Sequence, residues 1–349
     1  MDIILGIIEQ GMIYAIITLG IYITYRVLDF PDLTVDGSFT LGAAVTVMLI
    51  TNTQSSIINI LTLGHNPLII CIYAFVSGGV AGFVTGIIHV KLKVRDLLSG
   101  IITMTGLYSI NLHIAGRANV PIFNMDTIFT NSAVINFPEI LQRYRAIVII
   151  CILTLGLKAI IDLYLNTKSG YLLRAVGSNH ILVKSLGKDS GNIKIIGLSI
   201  ANGLVALGGS VIMQQQGFFE ISMGTGVMVI GLASVIIGTN IFKKLSFIKS
   251  TTAVVFGSII YKACMSIAMD ISIGLMGAII VAILCLVIIN KSLVIKTIIT
   301  MIFSLASYLF VEFFVTYEIS ASDMKLVTSL LFLIILITGK DKKKKVLEC

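Results

Sequence analysis

The sequence predicts an all-α polytopic membrane protein, with about ten or eleven membrane segments at roughly 20 apolar residues per helical crossing. Three observations carry this. Of the 349 residues, 57% are hydrophobic and only 12% are charged, about half of the quarter expected in a soluble domain. The mean hydropathy is +1.03. The apolar runs are long and apolar on every side, as in 271–290, whereas a transmembrane barrel strand is an alternating segment of about 10 residues.

Segments are expected at 3–25, 38–51, 67–90, 97–116, 146–165, 196–214, 226–242, 250–268, 271–290, 293–315 and 324–339. Those at 38–51 and 226–242 are short and glycine-rich, which makes them candidates for broken or re-entrant helices. Pro31, Pro67, Pro121 and Pro138 all fall in loops or at segment edges, where a missing N–H costs little. A single transmembrane domain is expected over 1–339, followed by a basic cytoplasmic tail at 340–349. No soluble domain is expected within the chain, so any energy source or capture domain belongs to another polypeptide.

The net charge of +8 would suggest nucleic acid only in a soluble protein. In a membrane protein Lys and Arg report topology, so no nucleic-acid partner is expected. Basic residues cluster at 91–95, 166–195, 243–249, 291–296 and in the tail. Placing all of them in the cytoplasm is consistent from the fourth segment onward. The C-terminus is then cytoplasmic, and 117–145 and 316–325 face outside. The N-terminus faces outside if the first two segments both span, and inside if the second is re-entrant. No cleavable signal peptide is expected, because the first apolar run lacks a basic leader and carries Glu9. Cys71, Cys151, Cys264, Cys285 and Cys349 show no CxxC spacing. The first four lie inside apolar segments and read as small core residues, with no metal site or cofactor in this chain.

One block interrupts the apolar pattern. Residues 28–39 read LDFPDLTVDGSF, with three acids, a proline and a glycine. Pro31 stops the preceding helix and biases Phe30 toward an extended backbone. Asp32, Thr34, Asp36 and Ser38 are good helix caps, and Gly37 permits close backbone approach. The block therefore reads as a break followed by a fresh helix near Ser38. Inside the bilayer its N–H groups would face a cavity; the alternative is a polar loop at the membrane surface. The residues 220–226, EISMGTG, repeat the theme of an acid before a short Gly-punctuated segment. Paired broken segments of this kind surround transporter sites, although glycine also serves close helix packing. The candidate pathway residues are Asp29, Phe30, Asp32, Thr34, Asp36, Gly37, Ser38, Phe39, Tyr108, Asn111, Gly224 and Thr225. Polar groups within segments, such as Asn111, Asn202 and Gln214, either contact substrate or bridge helices. Lys158 and Asp162, four apart, suit an ion pair.

The 166–195 loop is basic and too long for a tight turn. It reads as two short amphipathic helices that dock into a partner or lie on lipid headgroups. Some chemistry is excluded. There is no HExxH, no GxxxxGK[ST], and no series of arginines along a segment. Zinc-protease chemistry, P-loop nucleotide binding and voltage sensing by this chain therefore lack support.

Five blocks carry a resemblance: 19–45 (LGIYITYRVLDFPDLTVDGSFTLGAAV), 169–179 (SGYLLRAVGSN) with 185–187 (SLG), 199–218 (SIANGLVALGGSVIMQQQGF), 223–238 (MGTGVMVIGLASVIIG) and, more weakly, 320–332 (SASDMKLVTSLLF). Together they resemble the permease subunits of ABC importers of the branched-chain amino acid/ribose superfamily, closest to the predicted tryptophan/tyrosine uptake permeases. The resemblance implies a type II-like ABC permease domain in a bacterial cytoplasmic membrane. It implies a homodimer with two cytoplasmic ATPase subunits, which bind ATP and Mg, and an extracytoplasmic substrate-binding lipoprotein. It assigns ATPase coupling to Gly170, Tyr171, Leu172, Leu173, Arg174, Ala175, Val176, Gly177 and Asn179. The expected function is import of an aromatic or other apolar amino acid, with no catalysis by this chain. Related permeases carry sugars or nucleosides, and a secondary transporter driven by an ion gradient is the rival class. Relatives are shorter between 238 and 320; here 262–306 appears as an added hydrophobic pair.

Overall fold

The computed structural model describes residues 2–52, 62, 66–123, 125–131, 144–185, 187, 189–245 and 248–269. The chain divides into two compact units, 1–261 with 338–349, and 262–337. Of the second, the described residues are the last turns of the helix Ser250–Met269.

Helix α1 (Asp2–Tyr22) runs into a π-helical turn, Ile23–Val27. Its hydrogen bonding ends at Phe30, whose N–H reaches the Thr24 carbonyl; Pro31 has no N–H to continue it. Asp29 leaves the helix at φ 53. Helix α2 then covers Thr34–Thr51. The fresh helix therefore begins four residues before Ser38, the expected start. The cause is Asp32, whose carboxylate takes the Thr34 N–H at 2.9 Å, so Thr34 to Gly37 can join the helix.

Helix α3 (Pro67–Val90) is capped by the Asn66 side chain, with Pro67 at its first position. Helix α4 (Asp96–Ala115) ends on Gly116 at φ 74. After α4 comes β1 (Asn119–Pro121). Helices α5 (Arg145–Leu165), α6 (Lys168–Ser178) and α7 (His180–Ser185) follow. Thr167 caps α6 through the Gly170 N–H. Helix α8 (Ser190–Gln216) is capped by Asp189 and ends on Gly217 at φ 76. The left-handed endings at Gly116 and Gly217 let β1 pair antiparallel with β2 (Phe218–Glu220), Val120 opposite Phe219. Helix α9 (Val227–Ile241) has only 15 residues, a 3-10 turn follows at Phe242–Lys244, and α10 spans Ser250–Met269.

Among the described residues, α1 with its π turn, α2, α3, α4, α5 and α8 are long and apolar enough to cross a membrane, and α9 is a shorter apolar helix. The fold is thus all-α and polytopic. The expected segments 271–290, 293–315 and 324–339 and the basic tail lie outside the described residues. Within the expected extra pair, 262–269 continue α10; the remainder also lies outside them.

Helix α8 is the axis of the packing, largely buried along its apolar length. Helix α1 runs against it: Glu9 accepts a hydrogen bond from Gln215, and Ile17 lies beside Gly208. Helix α2 runs with it: Ser38 meets Asn202, and Thr46 meets Ser210. Gly42 sits so close to α8 that a Cβ there would lie 1.9 Å from the Ala206 carbonyl oxygen. Small residues allow this approach where no hydrophobic force distinguishes helix from lipid. Helix α3 closes the third side, with Gly78, Gly82 and Gly86 facing α8 at four-residue spacing. The outward faces of α3, α4 and α5 expose large apolar side chains, including Val80, Ile102, Leu155 and Leu163, as lipid contact requires.

Candidate functional site

The α1–α2 connection does not run the length of α8. Its tip stops beside Gly197 and Asn202, and Asn202 lies near the middle of the 27-residue α8. At about 1.5 Å per residue, Asn202 is roughly 18 Å from the start of that helix. The same stretch lies near the ends of its other neighbours, with Phe30 against His89 at the end of α3 and Leu33 beside Gly100 in the first turns of α4; non-helical backbone packed among apolar helices is tolerated where protein satisfies it.

The satisfying groups form one network. Asp32 is 1% exposed. One of its oxygens takes the Thr34 N–H, and the other takes the Asn202 side-chain amide at 2.7 Å. The Asn202 side-chain oxygen accepts from the Ser38 hydroxyl at 2.7 Å. The Thr34 hydroxyl pairs with that of Thr85 on α3 at 2.8 Å. Asn111 on α4 donates its amide to the Gly37 carbonyl at 3.1 Å, while its side-chain oxygen is buried without a partner among the described residues. Helices α3, α4 and α8 thus meet on the first turns of α2. A second set lies further along α8, where Thr46 and Cys71 meet Ser210, and Gln214 takes the Ile128 N–H of a loop.

Asp36 serves another helix. The Gly226 N–H donates to one of its oxygens at 2.9 Å, and the Met228 N–H to the other at 2.8 Å. Those are N–H groups at the start of α9, which a helix leaves without internal partners. A carboxylate there also meets the positive end of the α9 dipole. Gly224 backs onto the Asp36 carbonyl and the Thr40 hydroxyl, so the two segments compared in the sequence touch each other.

The structure therefore brings together Asp32, Thr34, Asp36, Gly37, Ser38, Asn111 and Gly224. Phe30 and Phe39 are buried alongside, at 1% exposure each, with Phe30 edge-on to the His89 ring. Others stand apart. Tyr108 is 55% exposed on α4, Asp29 is exposed beyond the π turn, and the exposed Thr225 hydroxyl bonds the Ser222 carbonyl. Sequence reasoning left Asn202 and Thr85 out of the candidate set. The available signal for Asn202 was a lone amide in the glycine-rich run Ala201-Asn202-Gly203.

The 166–195 loop forms α6 and α7 as two short helices. Gly170, Leu173 and Val176 of α6 are buried, Leu172, Ala175 and Gly177 are half-buried, and Tyr171, Arg174 and Asn179 are exposed. Gly177 rests on the π turn, where a Cβ would lie 1.9 Å from the Val27 carbonyl oxygen. Only glycine fits there without moving the break. Nearby, Lys158 and Asp162 form their ion pair at 3.0 Å. Among the described residues, no three His, Cys, Asp or Glu side chains gather as a metal site needs.

Comparison with known proteins agrees with a transport role. Residues 3–289 match the family described as the branched-chain amino acid transport system / permease component. The chain is 44% identical over 268 residues to a tyrosine transport system permease protein of Clostridioides difficile (strain R20291), covering 77% of this chain and 83% of that one. It is 34% identical over 279 residues to an uncharacterized protein of Rickettsia prowazekii (strain Madrid E), covering 78% and 91%. No solved structure matches. A helix break held by side chains of its neighbours in an all-α bundle, and a family match that runs through every helix around it, lead to one conclusion: this chain belongs to the family described as the branched-chain amino acid transport system / permease component.

Proposed function

We propose that the chain is the permease subunit of an ATP-driven importer of an aromatic or other apolar amino acid, with tyrosine the first candidate. The name of the 44% identical relative supports the substrate. The contact that carries the mechanism is Gly177 of α6 against the Val27 carbonyl. Helix α6 belongs to the basic loop assigned to the cytoplasm, and Val27 leads straight into the break at Asp32. A push on α6 therefore reaches the α2 network without an intervening element. In this reading two copies of the chain enclose the pathway, two ATPase subunits grip the α6 segments, and a binding lipoprotein delivers substrate outside. In this reading the basic tail lies in the cytoplasm, and α1, which runs against α8, has its Glu9 end beside Gln215 outside. The permease breaks no bond; it offers the substrate different affinities in two states. An ion-coupled carrier needs mid-membrane carboxylates free to take up a cation. Asp32 and Asp36 instead receive N–H groups of the protein itself.

The docking face is the exposed stripe of α6, with Tyr171 59% exposed and Arg174 one turn on. Tyr171→Ala with Arg174→Glu is expected to weaken ATPase association by about 2 kcal/mol, roughly thirtyfold, as for an aromatic–arginine hot spot. Copurification and stimulated ATP hydrolysis measure this. Unchanged values in both would remove α6 from the coupling role.

A further inference from the structure

A cavity of about 410 Å³ lies between α5, α6, the start of α10 and Tyr22 at the end of α1, apart from the Asp32–Asn202 network. Arg174, Lys249, Asn166, Ser250 and Thr251 line it, together with Asp162. Its charge is unbalanced. Among the described residues Asp162 is the only acid on its wall, and that carboxylate is already held by Lys158 at 3.0 Å and by the Thr251 hydroxyl. Lys249 approaches it from further off, at 3.5 Å, with its side chain 66% exposed. Arg174 has no ion pair among the described residues and is exposed. The wall thus presents two cations, three hydroxyls (one of them, on Thr251, already bonded to Asp162) and an amide against one neutralised carboxylate. Helix α10 begins at Ser250, so its first-turn N–H groups and positive dipole end add to the same wall.

The cavity also has a defined neighbour. On α5, Ile160 is 62% exposed and Leu163 is 70% exposed, flanking Asp162 in sequence. In a membrane those side chains meet acyl chains, while the basic groups at the end of the helix sit at headgroup depth. Basic pockets between membrane helices are suited to phosphorylated headgroups, and arginine binds phosphate through a planar fork.

We propose that this cavity is a phosphate site, holding the phosphate of an anionic phospholipid or a free phosphate ion between Arg174, Lys249 and the start of α10. An occupant would tie α6 to α5 and α10, beside the contact between Gly177 and the break. The proposal does not depend on the coupling role of α6, because it is tested on the permease alone.

The test uses delipidated permease in detergent, with bound lipid read by native mass spectrometry after addition of phosphatidylglycerol or phosphatidylcholine. The expected result is preferential retention of phosphatidylglycerol. Arg174→Gln with Lys249→Gln should reduce that preference up to about thirtyfold, since each basic residue near an anionic surface contributes roughly fivefold. Lys249→Gln alone changes a mostly exposed side chain and should give a smaller loss in a folded protein. Lys91→Gln with Arg95→Gln removes two exposed basic residues elsewhere and should leave retention unchanged. Displacement of the lipid by inorganic phosphate would identify the free ion as a competing source for the same site; failure of phosphate to displace it would identify the lipid. Equal retention in wild type and the Arg174/Lys249 variant would overturn the proposal. So would an equal loss in the Lys91/Arg95 control, which would reduce the effect to net charge.

Discussion

Asn202→Leu is expected to destabilise the permease by about 2–6 kcal/mol, because it strands two buried polar groups at roughly 1–3 kcal/mol each. One is the Asp32 oxygen that receives the Asn202 amide, and the other is the Ser38 hydroxyl that donates to it. Asp32 and Ser38 are 1% and 0% exposed, so water does not replace the lost partner. A neutral interhelical hydrogen bond in a membrane is worth only about 0.6 kcal/mol on average. The buried carboxylate therefore decides the size of the effect. Thermal unfolding in detergent measures it. Ser38→Ala on its own leaves the Asn202 oxygen without a donor, but in the Asn202→Leu background it removes nothing further. The two changes should therefore be less than additive by about 1 kcal/mol. Strict additivity would mean that the Ser38–Asn202 bond contributes nothing.

Asp36→Ala is expected to release the start of α9. Loss of a helix cap costs about 0.5–2 kcal/mol, and loss of a charge at the helix end adds up to about 2 kcal/mol where it is shielded from water. Both bonds lie in a part-buried setting, so the middle of the combined range applies, about 2 kcal/mol. A loss of about 2 kcal/mol speeds local opening of the Gly226 and Met228 amides roughly thirtyfold, which hydrogen exchange of the 224–231 segment reads directly. Asp36→Asn keeps one acceptor oxygen and should fall between wild type and Asp36→Ala. Transport should follow the same order, because Gly224 and α9 are held against α2 through this residue. Equal exchange in all three proteins would show that Asp36 does not hold α9.

Much of the fold was legible because charge and proline bound the apolar runs. Helix α3 occupies the expected 67–90, set between Pro67 and the basic group at Lys91. The short 226–242 segment became a 15-residue helix with its start buried against Asp36. Misplaced boundaries share one cause. The start of α2 was set at Ser38 because Thr34 and Asp36 read as cap residues outside a helix. In the structure the Thr34 hydroxyl has a partner on α3 and Asp36 serves α9, so both sit inside the helix without competing for its backbone. The segment expected at 196–214 begins earlier, at Ser190. Asp189 caps that earlier start. The site was half legible. Breaker and cap chemistry located the block at 28–39, since those signals are local. The partners were not, because Asn202 lies 170 residues from Asp32 and Gly226 lies 190 from Asp36, and no local signal reports such a pairing.

In the proposed import cycle, the energy for transport comes from ATP hydrolysed by partner subunits and enters through α6. Uptake of labelled tyrosine into proteoliposomes tests it most directly. The permease is reconstituted alone, with an imposed proton or sodium gradient, and in parallel with its ATPase subunits, ATP and the substrate-loaded binding protein. Accumulation of tyrosine only in the ATP-supplied vesicles, abolished by Asp36→Ala, is the predicted result. Accumulation by the permease alone under an ion gradient, undiminished when the ATPase is absent, would contradict it.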